Sequence, residues 1–244
     1  MVDPNDLARK LQCKRCQGKL SLDGNVFRCE TCSVSYFFGM GKHSQAPFHS
    51  LGERVFSYPR IYEAKVKLLG AVNGVPPYIL DPMVQDKEVL DLGCGSFQYY
   101  YHPDIATWRL GIDISPAAIQ RADILYPNSY HVVDSLTDPL FLQDKSVDVT
   151  LLLFVFHHLQ PEKWVSLLRE AKRVTRQHII VLDHTKNDSI PKALVQMAWW
   201  KTFDGGYLYP SEREWKEVLD PFRVEEYKRM GTLFNNVCYY RLGL

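Results

Sequence analysis

From about residue 88 the chain alternates short apolar runs with longer amphipathic ones. Glu88–Leu92 (EVLDL), Arg109–Ile114 (RLGIDI), Tyr130–Asp134 (YHVVD), Val147–Phe156 (VDVTLLLFVF) and His178–Asp183 (HIIVLD) are short, rich in Val, Ile and Leu, and read as strands. Val147–Phe156 is almost unbroken in its apolarity, as for a strand buried on both faces. Helical patterns lie between them. Ser115-Pro116 offers an N-cap and a first-turn proline ahead of AAIQRADIL. After Pro161, Trp164, Leu167, Leu168, Ala171 and Val174 recur at helical spacing and make one apolar face. Upstream, Tyr58–Gly74 reads as a helix punctuated by Gly74, Pro76 and Pro77. Downstream, Pro221–Met230 and Asn235–Leu244 read as a closing hairpin. The alternation predicts an α/β fold with a doubly wound, mostly parallel sheet.

The segment before this pattern is different. Cys13 and Cys16 are separated by two residues, as are Cys29 and Cys32, with twelve residues between the pairs. Each Cys-x-x-Cys can form a knuckle that aims two thiolates inward. Four thiolates at about 2.3 Å complete a closed tetrahedral zinc site, which is structural because no coordination position stays open. Gly18 and Gly24 supply turns, and Val26-Phe27 reads as a short strand. So small a segment buries little alone, so its folding should be coupled to the metal. The polar stretch Gly39–Gly52 reads as a connection. We divide the chain into a zinc ribbon over residues 1–45 and a second domain over 46–244.

Composition narrows the function classes. The 244 residues are 46% hydrophobic with a formal net charge of +1. That is enough chain for one large domain and a small appendage, without a global electrostatic grip on nucleic acid or membrane. No apolar run reaches the length of a membrane span, and the first residues lack a secretory pattern, so a cytoplasmic, membrane-free protein is expected. The first fifty residues carry seven Lys/Arg (Arg9, Lys10, Lys14, Arg15, Lys19, Arg28, Lys42) against four acids. That local excess is a solvated surface or a contact for an RNA backbone.

Chemistry concentrates after the first strand, in Asp91-Leu92-Gly93-Cys94-Gly95. Ligands of parallel α/β sheets sit beyond the carboxyl ends of the strands, and glycines there let a ligand lie against the backbone. Asp113 ends the second strand, placed to accept both hydroxyls of a ribose. The third glycine of a dinucleotide fingerprint is absent, since Gln98 stands there, and so is a Walker lysine.

This arrangement resembles the class I S-adenosylmethionine-dependent methyltransferases, over about residues 55 to 243. The resemblance implies a Rossmann-like, seven-stranded sheet. It places Asp91, Gly93 and Gly95 around the methionine end of the cofactor, Asp113 at the ribose and Ile114 beside the adenine. Asp134 would bond the adenine amino group, with Ser135 next to it. Phe154 to Leu159 (FVFHHL) would line the reaction centre. Phe97 stands where the family often has a third glycine. The front segment resembles zinc ribbons fused to, or partnered with, some methyltransferases, certain ribosomal RNA enzymes among them.

Methyl transfer needs an in-line nucleophile and, for some acceptors, a base. The Asn/Asp-Pro-Pro-Tyr/Phe motif of exocyclic-amine methylators and a Pro-Cys nucleophile are both absent. Cys94 reads as a small turn residue and Cys238 as core. His157 or His158 is a candidate base at the carboxyl end of the fourth strand; the alternative is a loop-capping role. Asp183, ending the fifth, is a candidate to orient a histidine. Trp199, Trp200, Phe203, Tyr207, Tyr209 and Trp215 form either a wall over the acceptor or core. The expectation is a methyltransferase using S-adenosylmethionine and a structural zinc, acting on a small-molecule acceptor. The alternatives are an RNA methyltransferase that uses the ribbon for contact, and a non-catalytic binding or scaffold protein.

Overall fold

The structure, a computed structural model, describes residues 4–23, 26–37, 59–96, 98–136, 139–203, 208–232 and 235–244. Gly24, the connection over Gly39–Gly52, Phe97 and Asp204–Tyr207 lie outside the described residues, as do the side chains of Trp199, Trp200 and Phe203. The front segment comprises α1 (Pro4–Lys10) and a three-stranded antiparallel sheet of β1 (Leu20–Asp23), β2 (Val26–Cys29) and β3 (Ser35–Phe37). Then follow α2 (Pro59–Asn73) and the one-turn α3 (Asp81–Val84). The strands of the second sheet are β4 (Glu88–Leu92), β5 (Trp108–Asp113), β6 (Tyr130–Val133), β7 (Val147–Leu153), β8 (Thr175–Thr185), β9 (Arg223–Gly231) and β10 (Asn236–Gly243). Its helices are α4 (Pro116–Leu125), α5 (Pro161–Val174), α6 (Ile190–Phe203) and α7 (Glu212–Leu219).

The seven strands lie in the order β6-β5-β4-β7-β8-β10-β9. The first five are parallel, and β10 runs antiparallel between β8 and β9. Strand order reverses between β4 and β7, so their carboxyl ends flank a crevice open to a ligand. The helix signals act as read. Ser115 Oγ accepts from the Ala118 amide, and the five apolar residues of α5 are all buried. The fourth strand is shorter than expected: β7 stops at Leu153, not Phe156. Phe154 has φ +57°, which leaves the extended conformation, although its N–H still donates to the Leu182 carbonyl. That turn sets Val155 against Gly93, and Phe156, which follows, packs into the core against Trp164 and Trp215.

One buried ion pair sits beneath the glycine turn. Asp91 and Arg109 are each 1% exposed, with Arg109 Nη2 3.0 Å from Asp91 Oδ2. Tyr101 Oη (2.5 Å) and Gln98 Nε2 (2.9 Å) donate to the same oxygen. Removing one partner leaves a buried charge without its counter-charge. Asp91→Ala should therefore cost about 3–5 kcal/mol of stability. The Asp91→Leu, Arg109→Met pair should cost less, and a chemical denaturation curve of each checks it.

The front segment is docked, not tethered. Leu11 bridges to Leu142, the Gln12 amide donates to the Phe141 carbonyl (2.6 Å), and the Gln143 amide donates to the Lys10 carbonyl (2.8 Å). Leu7, Leu11, Leu20 and Phe27 are buried in the same apolar cluster as Trp108, Phe141 and Leu142. Lys10 pairs with Glu88 (2.6 Å) and lies over the Trp108 ring.

Candidate active site and metal centre

The four clustered cysteines converge. Their sulfurs all lie within 4.8 Å of one another, with Cys13 to Cys32 at 3.5 Å and Cys16 to Cys29 at 3.4 Å. Sulfurs about 2.3 Å from a tetrahedral ion stand roughly 3.8 Å apart, so the donor set fits zinc. The Cys32 and Thr31 amides donate to Cys29 Sγ at 3.4 Å each, the arrangement that stabilises a thiolate ligand.

At the carboxyl end of β4 the chain turns through Gly93 (φ +77°) and Gly95 (φ +57°). A Cβ on Gly93 would stand 2.5 Å from Val155 Cγ2, so both conformation and space require glycine. Gly111 of β5 similarly leaves room for Cys94, whose sulfur would be 2.7 Å from an added Cβ. The Gly95 and Ser115 amides each donate to one oxygen of Asp113, at 2.9 and 2.8 Å. Each oxygen keeps a second lone pair, enough for two vicinal hydroxyls. Burial raises the Asp113 carboxyl pKa against these amides, so further donors would be welcome there. Ile114, next along, is 73% exposed, an apolar side chain open to a planar ligand. At the end of β6, Asp134 Oδ1 accepts from the Ser135 amide (2.9 Å) and Oδ2 from Lys14 Nζ (2.6 Å).

Beyond β7 and β8 lies a buried polar cluster. His157 Nδ1 is 2.6 Å from Asp183 Oδ1, and both side chains are fully buried. The Phe156 and His184 amides also donate to Asp183, at 2.8 and 2.6 Å. Burial would raise the Asp183 carboxyl, but the His157 ring and the His184 amide hold it below its ordinary value. An ionised carboxylate accepts from Nδ1–H, which puts the imidazole lone pair on Nε2. The rings of Phe154, His184 and Tyr209 surround His157. His158 is exposed, its ring 4.1 Å from that of His157.

Residues 90–182 match the family described as methyltransferase domain. They are a methyltransferase domain. No curated protein matches the chain. Among solved structures, an S-adenosylmethionine-dependent methyltransferase from Methanosarcina mazei is 16% identical with a TM-score of 0.54, covering 66% of this chain and 93% of that one. The magnesium protoporphyrin IX methyltransferase of Synechocystis, with bound SAH, is 16% identical at 0.51, covering 84% and 90%. A chain from the Haloferax volcanii complex between the Trm112 methyltransferase activator and its candidate methyltransferase is 15% identical at 0.56, covering 78% and 97%. The chain has the Rossmann-like fold that these structures share, the methyltransferase-domain match spans residues 90–182 of it, and a cluster of four cysteines stands in front. Among the described residues no helix is long and apolar enough to cross a membrane.

Within the methyltransferase domain the structure brings Gly93, Gly95, Asp113, Ile114, Asp134 and Ser135 to the carboxyl ends of neighbouring strands. Asp91 lies beneath the turn, facing Arg109. Phe154 stacks on Tyr100 (5.2 Å) and adjoins His184 (4.9 Å). Cys94 and Cys238 are buried, and burial pushes both thiols well above their ordinary pKa. Trp215 is core: it is fully buried, stacks on Trp164 and donates to the His184 carbonyl (3.0 Å). Two groups carry no sequence signal. Arg109 is a cation inside a strand, and Asn235, which donates to Asn73 (2.5 Å) and accepts from Gln196 (2.7 Å), links three distant segments.

His131, of β6, makes the domain sensitive to acid. Arg109 Nη1 donates to Nε2 (2.9 Å), so the ring proton is on Nδ1, toward Asp123 Oδ1 (2.8 Å). Burial, with Arg109 adding to it, lowers the His131 pKa against the pull of Asp123. The native chain therefore binds fewer protons than the unfolded chain below the ordinary histidine value. That stability is present above about pH 6.5 and is lost as the pH falls toward the lowered native pKa. Melting temperature should drop between about pH 7 and pH 5, more steeply in the wild type than in His131→Gln. Equal slopes would contradict the assignment.

Proposed function

We propose that this methyltransferase moves the methyl group of S-adenosylmethionine to a small-molecule acceptor. The reading rests above all on the Asp113 cradle, with two amides behind the carboxylate and an exposed apolar side chain beside it. Asp113 would hold the ribose hydroxyls, Ile114 the adenine face, and Asp134 with Ser135 the adenine edge. Gly93 and Gly95 let the methionine end approach, and Asp91 positions that turn from beneath through Arg109, Tyr101 and Gln98. The cofactor supplies an activated methyl on a sulfonium. The chain's own part is to align the acceptor, exclude water and take a proton. His157 Nε2 is assigned that proton, with Asp183 fixing the tautomer, Phe154 and Tyr209 as walls, and His158 at the mouth. Zinc would be held by Cys13, Cys16, Cys29 and Cys32 as a structural ion. A ribbon over residues 1–45 and a methyltransferase domain over 46–244 share one apolar cluster, so they act as one body.

The small-molecule reading draws on the direction of the ribbon's charges. Lys10 and Lys14 turn inward to Glu88 and Asp134, and Arg28 faces Asp23. That leaves less of the basic excess for a phosphate backbone. The test is transfer of label from methyl-labelled S-adenosylmethionine to a small-molecule extract and, in parallel, to total RNA. Label in the small-molecule fraction is expected. Label in RNA, with a steep salt dependence of binding, would replace this reading with the RNA one.

A further inference from the structure

We propose that the metal knuckle of the front segment sets cofactor affinity through Lys14. The inference rests on the reading of Asp134 as the adenine-binding acid. Lys14 lies between two of the four ligands, in Cys13-Lys14-Arg15-Cys16. Its Nζ is 2.6 Å from Asp134 Oδ2, with the two side chains only 20% and 21% exposed. The knuckle's backbone is fixed by the Cys13 amide on the Gly18 carbonyl (2.9 Å) and the Gln17 amide on the Cys13 carbonyl (2.8 Å). On the other side, the Gln12 amide on Phe141 and the Leu11–Leu142 bridge hold the knuckle against the chain that follows Asp134. Lys14 Nζ also stands 5.6 Å from the Phe141 ring centroid. The lysine thus reaches from the metal-bound loop to the cofactor crevice.

The contact orients Asp134 without using it up. A carboxylate has about four lone-pair sites. Lys14 takes one on Oδ2 and the Ser135 amide takes one on Oδ1, which leaves a site on each oxygen for an amino group. The Asp134 amide donates to the Asp113 carbonyl (3.0 Å), so the adenine acid and the ribose acid share one backbone frame. A carboxylate locked before binding does not lose rotamer freedom when the ligand arrives. Loss of the metal frees the knuckle, the lysine with it, and then the carboxylate.

The test is titration calorimetry with S-adenosylhomocysteine on the full chain, with zinc content measured on each sample. Lys14→Met should raise Kd about tenfold, the size of one charge-assisted contact, with one zinc per chain retained. Lys14→Arg should stay near wild type. In an Asp134→Asn background Lys14→Met should add nothing, which a purely structural lysine would not predict. Chelation of zinc from the unmodified protein should weaken binding at least as much, and zinc should restore it; this arm decides the matter if Lys14→Met does not fold. Wild type that binds while Lys14→Met binds equally or more tightly overturns the inference alone. A wild type that does not bind S-adenosylhomocysteine overturns the cofactor reading beneath it.

Discussion

Asp113→Ala is expected to weaken S-adenosylhomocysteine binding about 100-fold, because two hydroxyls lose a charged acceptor at once. The fold should survive. The Gly95 and Ser115 amides that lose their partner lie at the open end of the strand, where water can replace it. Calorimetry on the variant, with a melting curve beside it, separates the two effects. Binding within a few-fold of wild type would remove Asp113 from the site, and with it the placement of Ile114 and Asp134.

Asp183→Asn is expected to lower the transfer rate by about 10² to 10⁴, while S-adenosylhomocysteine binding changes little. The carboxylate is what keeps the His157 proton on Nδ1. An amide there can present N–H instead, turn the tautomer over and occupy Nε2 with hydrogen. The substitution also touches stability, because Asp183 accepts from the Phe156 and His184 amides in a fully buried position. The rate is therefore compared well below the melting temperature of the variant. A variant that binds the cofactor normally and turns over at the wild-type rate would leave His157 and Asp183 as structural polar core.

Much of this was legible in the sequence because it is local. The period of apolar residues marks α5, the Ser115-Pro116 cap marks α4, and the Val, Ile and Leu runs mark β4 to β8 to within a few residues. The order of Gly93, Asp113 and Asp134 at successive strand ends is also local, so their convergence follows once the sheet is parallel. What stayed hidden depends on partners far along the chain. Arg109 looks out of place in a strand until Asp91, Tyr101 and His131 are seen around it. Lys14 counts as one of seven surface cations in the sequence, yet its partner is 120 residues away. Trp215 reads from the sequence as either acceptor wall or core, and the α7 face puts it in the core. β7 ends at Leu153 because Phe154 takes a positive φ, which an apolar run that continues through Phe156 does not signal.

The most direct test of the central claim is native mass spectrometry of the purified full chain with S-adenosylhomocysteine, and NAD as the control. The predicted result is one zinc per chain, one S-adenosylhomocysteine added and no NAD. A chain that carries zinc but takes up neither ligand would contradict the methyl-transfer reading and favour a scaffold built on this fold.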